Sequence, residues 1–304
     1  MANAHPRATV LRNSASHGLV LQGLGVGIHI RFGPGAEPVM RLAERLFADL
    51  KSQDIPCSDM LSLQVSREPS QWVVSDADGF AQPGDNPHAV AGHLVSAINR
   101  LAVTCSPLMA LHAGGVTHRT TAVVLAAPSG SGKSTLTGAL VLAGCGYLSD
   151  EAIGIDSNSL AARPYHKPVT LKSGSFAVLP DLQGAALEVD DGVRAEWHVP
   201  VGPTCGRLAL AAQTPIGHIV LPHFQLSAKA TTLELLRPAE AVMELAGCAF
   251  AGQHSARERL TILGRLANTI PVHRLVSNDL HETVVAVTEL AGWADLDSRA
   301  PLPW

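Results

Sequence analysis

The amino-acid sequence predicts an α/β fold that is preceded by a small α+β unit. From Leu108 onward, strand-like runs alternate with helix-like runs, and one strand-like run passes through a Gly/Ser-rich segment directly into a helix. Composition agrees with this fold, because 46% of the 304 residues are hydrophobic while only 4% are aromatic. Aliphatic side chains must therefore fill the core, as is typical of buried parallel strands and their covering helices.

Residues 1–104 are predicted to form the small α+β unit. Their apolar side chains recur at helical spacing in two runs and alternate in three shorter ones. The predicted helices are Glu37–Leu50 and His88–Val103, and the predicted strands are Gly25–Arg31, Met60–Val65 and Gln71–Ser75.

Residues 105–292 are predicted to form the larger α/β portion, and residues 293–304 a tail that either docks by its tryptophans or is mobile. The first two strands are joined by the polar spacer THRT, which suits a hairpin. The predicted strands are Leu108–Val116, Thr121–Ala127, Tyr147–Leu148, Ile153–Ile155, Ile216–Leu221, Thr232–Leu236 and Val272–Val276, and the predicted helices are Lys133–Ala143, Pro238–Ala246, Ala256–Ala267 and Asp279–Leu290.

Charge and cysteine content exclude several classes of protein. A net charge of −4 argues against a general nucleic-acid binder, which needs a basic face. The five cysteines are odd in number and include no C-x-x-C, so neither a disulfide framework nor a zinc knuckle is indicated. No run approaches the roughly 18 apolar residues of a membrane span. We expect a cytoplasmic protein without nucleic-acid or membrane partners.

The strongest chemical signal is the segment Ala127–Ser134, APSGSGKS, between a predicted strand and a predicted helix. It matches the P-loop (Walker A) pattern G-x-x-x-x-G-K-S except that Ala127 replaces the first glycine. In this pattern the glycines let backbone N–H groups wrap phosphates, the lysine reaches the β and γ oxygens, and the serine hydroxyl binds Mg²⁺. We predict that ATP and Mg²⁺ bind here, with nucleotide contacts from Ser129, Gly130, Ser131, Gly132, Lys133, Ser134 and Thr135.

Three further residues are candidates because of where they stand relative to this loop. Asp150 and Glu151 follow the strand Tyr147–Leu148, which we expect to lie beside the loop strand with its carboxyl end at the phosphate edge. One carboxylate would orient Mg²⁺ together with Ser134, and the other would accept a proton from an attacking hydroxyl. His112 lies on the strand before the hairpin, which brings it beside the loop strand.

Three motifs together, LHAGGV around His112, APSGSGKSTL in the loop and YLSDEA after it, resemble the catalytic domain of HPr kinase/phosphorylase and its HPr-kinase-related relatives. The resemblance implies a P-loop HPr-kinase/PEP-carboxykinase-like mixed sheet with flanking helices, and ATP- and Mg²⁺-dependent transfer of the γ-phosphate to a seryl hydroxyl. It implies that Asp150 is the general base, that Lys133 and Ser134 contact phosphate and metal, that His112 neighbours the base, and that Glu151 is the second acidic position. It also implies a homo-oligomer.

The segment Pro164–Gly174 departs from this family, because it contains no acid where the bifunctional enzyme has an E-x-R-G signature. Phosphorylase activity and recognition of HPr itself are therefore not implied. His166, Lys167 and Lys172 in this segment either contact an acidic acceptor or the transferring phosphoryl group, or form a solvated basic loop. Further candidates for phosphate contacts are Arg194, Arg207, Arg237 and His223.

The leading functional hypothesis is a serine kinase that acts on a protein or peptide, such as an HPr-like carrier or the precursor of a modified peptide. A small-molecule kinase of the shikimate or gluconate type also combines G-S-G-K-S-T with a carboxylate after the first helix, but it lacks the histidine strand and the N-terminal unit. A nucleotide-binding regulatory ATPase remains a third hypothesis, although the sequence has no LSGGQ-type signature and no distant strand that ends in Asp-Glu.

Overall fold

Three β-sheets and six α-helices organise the part of the chain that the structure, a computed structural model, describes: residues 17–51, 60–190, 195–200, 213–293 and 295–296. The strands are β1 His17–Gly23, β2 Val26–Phe32, β3 Met60–Arg67, β4 Trp72–Asp76, β5 Ala81–Gly84, β6 Met109–His118, β7 Thr121–Ala126, β8 Gly146–Ser149, β9 Ala152–Ile155, β10 Ala162–Arg163, β11 Val169–Lys172, β12 Leu187–Asp190, β13 Ala195–Val199, β14 Ile216–Phe224, β15 Thr232–Leu235 and β16 Val272–Ser277. The helices are α1 Glu37–Leu46, α2 Pro87–Thr104, α3 Lys133–Leu142, α4 Pro238–Cys248, α5 Ala256–Thr269 and α6 Leu280–Leu290.

The N-terminal part is a five-stranded sheet in the order β1-β2-β3-β4-β5, with α1 and α2 packed on it. Only β2 and β3 are parallel, because α1 connects them as a crossover. Asn86 begins α2: its side-chain oxygen accepts hydrogen bonds from the backbone N–H groups of His88 and Ala89, which the helix itself leaves unpaired.

The N-terminal sheet shares its hydrophobic core with the larger portion. Ala110, Ala152 and Tyr165 belong to the same core cluster as α1 and α2. The hydroxyl of Tyr165 donates a hydrogen bond of 2.7 Å to Oδ1 of Asn99 on α2. The N-terminal unit therefore packs directly against strands of the larger portion, and the boundary near residue 105 remains a prediction.

The large sheet confirms the predicted mixed α/β architecture. Its order is β10-β9-β6-β7-β14-β16-β15, with β8 paired to β6. The three strands β7, β14 and β16 are parallel, and the hairpin of β6 and β7 is antiparallel as expected. Helices α3 and α6 cover one face of the sheet, and α4 and α5 cover the other. Within the described ranges, no helix combines the length and apolar character needed to cross a membrane.

The expectation that the strand after α3 lies beside the loop strand is wrong. That strand, β8, pairs with β6, because the free edge of β7 is taken by β14 in parallel. Both β7 and β8 are antiparallel to β6, so they run in the same direction and their carboxyl ends meet at one edge of the sheet. The acidic pair after β8 therefore still reaches the end of the loop strand.

Other differences concern short or terminal elements. Helix α1 ends at Leu46, and a separate 3₁₀ turn covers Ala48–Leu50. A three-stranded sheet in the order β11-β13-β12 was not predicted, since its strands have only four or five residues each. Trp293 is buried in the same core cluster as α3 and α6, whereas Trp304, Arg194 and Arg207 lie outside the described residues.

Candidate functional site

The loop between β7 and α3 has a backbone suited to wrapping an anion. Gly130 and Gly132 have φ values of 84° and 88°, in the left-handed region that glycine adopts without strain. Gly132 immediately precedes α3. The N–H groups of the first helical turn, which have no partner within the helix, therefore face the space that the loop encloses. The buried hydroxyl oxygen of Ser131 has no hydrogen-bond partner among the described residues. These donors fit the oxygens of a phosphate chain.

Close packing of α3 on β6 brings the histidine strand to this loop. A Cβ atom at Gly114 would lie 2.3 Å from Oγ1 of Thr137, so only glycine allows α3 to approach β6 at this point. His112 precedes Gly114 by two residues, just beyond the last pair of the β6–β7 ladder, Ala113 with Ala126. Helix packing thus explains Gly114 of the LHAGGV motif, whereas a Cβ atom at Gly115 would lie 2.8 Å from Cδ1 of Ile153 on β9. The histidine is placed beside the loop.

Lys133 uses all three of its ammonium hydrogens inside the loop. Its Nζ atom lies 2.6 Å from the carbonyl oxygen of Ala127, 2.9 Å from that of Pro128 and 3.1 Å from Nε2 of His112. The residue is buried, and this burial lowers the pKa of Lys133. The ammonium group is therefore held at the junction between the loop and β6.

His112 is a neutral imidazole with a defined tautomer. Its Nδ1 lies 3.0 Å from the carbonyl oxygen of Glu151, which can only accept a hydrogen bond, so Nδ1 carries the proton and Nε2 accepts from Lys133. Burial, and then the charge of Lys133, hold the pKa of His112 below its ordinary value. Oε1 of Glu151 lies 3.5 Å from the same Nδ1, and 34% of the Glu151 side chain is exposed. His112, Lys133 and Glu151 form a cluster that solvent can reach.

Asp150 occupies a different environment, in the interior. Its Oδ1 is 2.7 Å from Nζ of Lys167 and accepts a hydrogen bond of 2.9 Å from the hydroxyl of Tyr147. Its Oδ2 accepts a hydrogen bond of 3.0 Å from the backbone N–H of Thr170, and the hydroxyl of Ser134 also donates to the carboxylate. Burial by itself would raise the pKa of Asp150, but Lys167 and these donors outweigh burial and hold the pKa below its usual range.

Lys167 lies in the interior and not on a surface that an acceptor could touch. Its side chain is 0% exposed, and besides Asp150 it donates to the carbonyl oxygen of Pro168 and to the hydroxyl of Thr170, at 2.8 and 3.0 Å. Thr170 in turn contacts Nδ1 of His198 at 3.2 Å. Burial, and then the charge of Lys167, lower the pKa of His198 to about 3, so this histidine is neutral at physiological pH.

The other predicted phosphate contacts are scattered. His166 is half-buried against the ring of Tyr147, with a buried Nε2 that has no partner among the described residues. Lys172 is exposed at the end of β11. Arg237 is exposed before α4 and pairs with Glu240 at 2.6 Å. The structure therefore brings His112, Lys133, Ser134, Asp150 and Glu151 together and leaves these three residues outside their hydrogen-bond network.

Sequence reasoning missed a cavity of about 880 Å³ beside the loop. It lies at the carboxyl ends of β14 and β16, and its wall includes Ser131 and Gly132 of the loop and Thr135 in the first turn of α3. His223, near the end of β14, also lines it and was the only sequence-level signal, because strand ends on the loop side of an α/β sheet converge at one edge.

No family model matches the chain, and no curated protein matches it. Among solved structures, the chain is similar to the HPr(Ser) kinase/phosphatase from Coxiella burnetii, with 16% sequence identity, 61% of this chain and 99% of that chain covered, and a TM-score of 0.31. At this TM-score the likeness assigns neither a fold family nor a chemistry to the chain.

We expect Lys167→Met to lower the free energy of unfolding by about 3–5 kcal/mol, because it leaves the buried Asp150 carboxylate without its counter-ion. The double variant Asp150→Asn with Lys167→Met removes both charges. Its loss of free energy of unfolding should therefore be smaller than the sum of the losses of the two single variants. Urea denaturation of the four proteins measures this coupling. Arg237→Met, which breaks an exposed ion pair, is the control. Additive losses would show that the pair contributes no coupling.

Proposed function

We propose that the protein is an ATP- and Mg²⁺-dependent kinase that transfers the γ-phosphate to a seryl hydroxyl on a protein or peptide acceptor. The observation that supports this most is the junction at Lys133: one side of the loop offers N–H donors and the unpaired Ser131 hydroxyl, and the other side meets His112 and Glu151. A phosphate chain on this loop would end next to a carboxylate and an imidazole that solvent reaches.

The residues beneath the loop suit a hard divalent cation. Mg²⁺ prefers oxygen ligands and is usually held by one or two protein groups together with substrate phosphates. The Ser134 hydroxyl and the Asp150 carboxylate already contact each other, and Glu151 is adjacent in sequence. We assign Ser134 and Asp150 to holding Mg²⁺, which would neutralise charge on the β- and γ-phosphates when bound, and this leaves the Glu151 carboxylate for the acceptor hydroxyl.

The two carboxylates differ in what they can do. Asp150 is enclosed, ion-paired to Lys167 and bonded through both oxygens, so it suits a fixed charge that orients Ser134. Glu151 has a third of its side chain exposed beside His112. We therefore assign proton transfer to Glu151, although the family resemblance implies Asp150 for this role.

Phosphoryl transfer forms one bond to the γ-phosphorus, breaks another and moves one proton. The acceptor oxygen forms a bond to the γ-phosphorus while the bond between that phosphorus and the β–γ bridging oxygen breaks, and the hydroxyl proton passes to the Glu151 carboxylate. Lys133 stabilises the charge that develops on the transferring group once a phosphate oxygen replaces one of its loop carbonyl partners, because its ammonium lies where the loop meets β6. Nδ1–H of His112 bonds the Glu151 backbone and keeps the two side chains together.

Transfer of labelled phosphate from γ-labelled ATP to seryl-containing proteins and peptides tests the proposed activity. We expect Lys133→Ala to lower transfer at least 100-fold, because charge on the transferring group loses its nearest cation. Lys172→Ala, which removes an exposed lysine, should transfer at the wild-type rate. Release of free phosphate without any labelled acceptor would favour a regulatory ATPase instead.

Glu151→Gln tests the division of roles between the carboxylates. We expect kcat to fall about 100-fold or more while the Kd for MgATP changes little, since the amide keeps the shape but cannot take a proton. Asp150→Asn should instead weaken MgATP binding and lower stability, because Lys167 loses its partner. A folded Asp150→Asn protein that binds MgATP normally but has lost kcat, with Glu151→Gln fully active, would return the base role to Asp150.

A further inference from the structure

The cavity beside the loop lies on the opposite side of β7 from the His112 cluster. In the sheet, β6 flanks β7 on one side, and β14 followed by β16 flank it on the other. His112 extends from β6, whereas the cavity opens over the carboxyl ends of β14 and β16. Apolar side chains that line it come from β14 and β16, from the segment after β11, and from α3 and α6: Leu136, Ala177, Val178, Pro222, Leu275 and Leu280.

The direction of a bound phosphate chain follows from this arrangement. In a loop of this type the backbone N–H groups hold the α- and β-phosphates, and the lysine reaches the β- and γ-phosphates. Lys133 points to β6, so the γ-phosphate belongs over β6. Ser131, Gly132 and Thr135 line the cavity, so the α-phosphate and whatever it carries belong over β14 and β16.

We propose that this cavity binds the nucleoside of the nucleoside triphosphate, with the base held by stacking on Phe224. This inference rests on the proposed function. It assigns a binding site to the nucleoside, which is the part of the substrate that the loop does not hold. Phe224, at the end of β14, lines the cavity with 54% of its surface exposed, which is unusual for a phenylalanine. A purine or pyrimidine ring packed on it would cover this aromatic surface, and such stacking tolerates different bases because each has a π-face.

The polar part of the cavity offers a hydrogen-bond acceptor for a ribose hydroxyl. Asp279 caps α6 by accepting a hydrogen bond of 2.8 Å from the N–H of Glu282 with Oδ1. Its Oδ2 makes no further hydrogen bond among the described residues and can accept one from a ribose hydroxyl. The segment is held in place, because Ser277 donates to the carbonyl oxygen of Asp279 at 2.9 Å and Asn278 donates to that of Ala228 at 2.9 Å.

The wall of the cavity that follows β11 is joined to α3. Oγ1 of Thr135 lies 2.9 Å from Oγ of Ser175, which belongs to the 3₁₀ turn Ser173–Ala177. This bond ties the turn that carries Ala177 to the first turn of α3. The cavity volume of about 880 Å³ lies within the range of roughly 300–1,000 Å³ found for small-molecule sites.

Binding of two probes distinguishes the nucleoside contacts from the phosphate contacts. Calorimetry with MgATP and with inorganic tripolyphosphate plus Mg²⁺ is carried out on the wild-type protein, on Phe224→Ala, which removes the stacking surface, and on Ala177→Phe, which fills the cavity. Leu260→Ala is the matched control, because Leu260 is also 54% exposed but lies on α5, across the sheet from the loop helix.

We expect wild-type protein to bind MgATP more tightly than tripolyphosphate. Phe224→Ala and Ala177→Phe should each weaken MgATP binding about ten-fold or more and leave tripolyphosphate binding within two-fold, while Leu260→Ala changes neither. If wild-type protein binds MgATP but both cavity variants bind it equally well, the nucleoside lies elsewhere and this inference is wrong. If wild-type protein binds neither probe, the proposed function itself fails.

Discussion

The buried ion pair between Asp150 and Lys167 is the interaction on which the geometry of the site depends. A carboxylate in the interior is tolerated only when charge and hydrogen bonds compensate its lost hydration. Lys167, Tyr147 and the N–H of Thr170 supply this compensation, and they join the end of β8 to the segment that leads into β11. The carboxylate is thereby fixed beneath Ser134, and the next residue, Glu151, is turned toward His112.

The order of the strands determines the direction in which a triphosphate lies across the site. The central strand β7 carries the loop, β6 brings His112 to one side, and β14 with β16 form the cavity on the other. A triphosphate that crosses the end of β7 therefore has its reactive end next to an exposed carboxylate and its nucleoside end next to an exposed phenylalanine. Phosphate-binding groups alone would not distinguish these two ends.

The features that the sequence predicted well are local ones. Contiguous residues form the loop, the β6–β7 hairpin and the start of α3. Residue spacing and glycine content were therefore sufficient to locate these elements. Features that depend on distant pairing were missed. The partner of β8 depends on β14, which follows some seventy residues later and takes the free edge of β7. Lys167 appeared to be a surface residue because its partner is seventeen positions away and its burial depends on tertiary packing. The cavity needed residues from four separate segments.

The direction of the triphosphate across the loop would be visible in a crystal structure with Mg²⁺ and a non-hydrolysable ATP analogue. We expect the terminal phosphate to contact Nζ of Lys133 on the β6 side and the base to pack on Phe224 over the ends of β14 and β16. A base next to His112, or a terminal phosphate in the cavity beside Phe224, would contradict it.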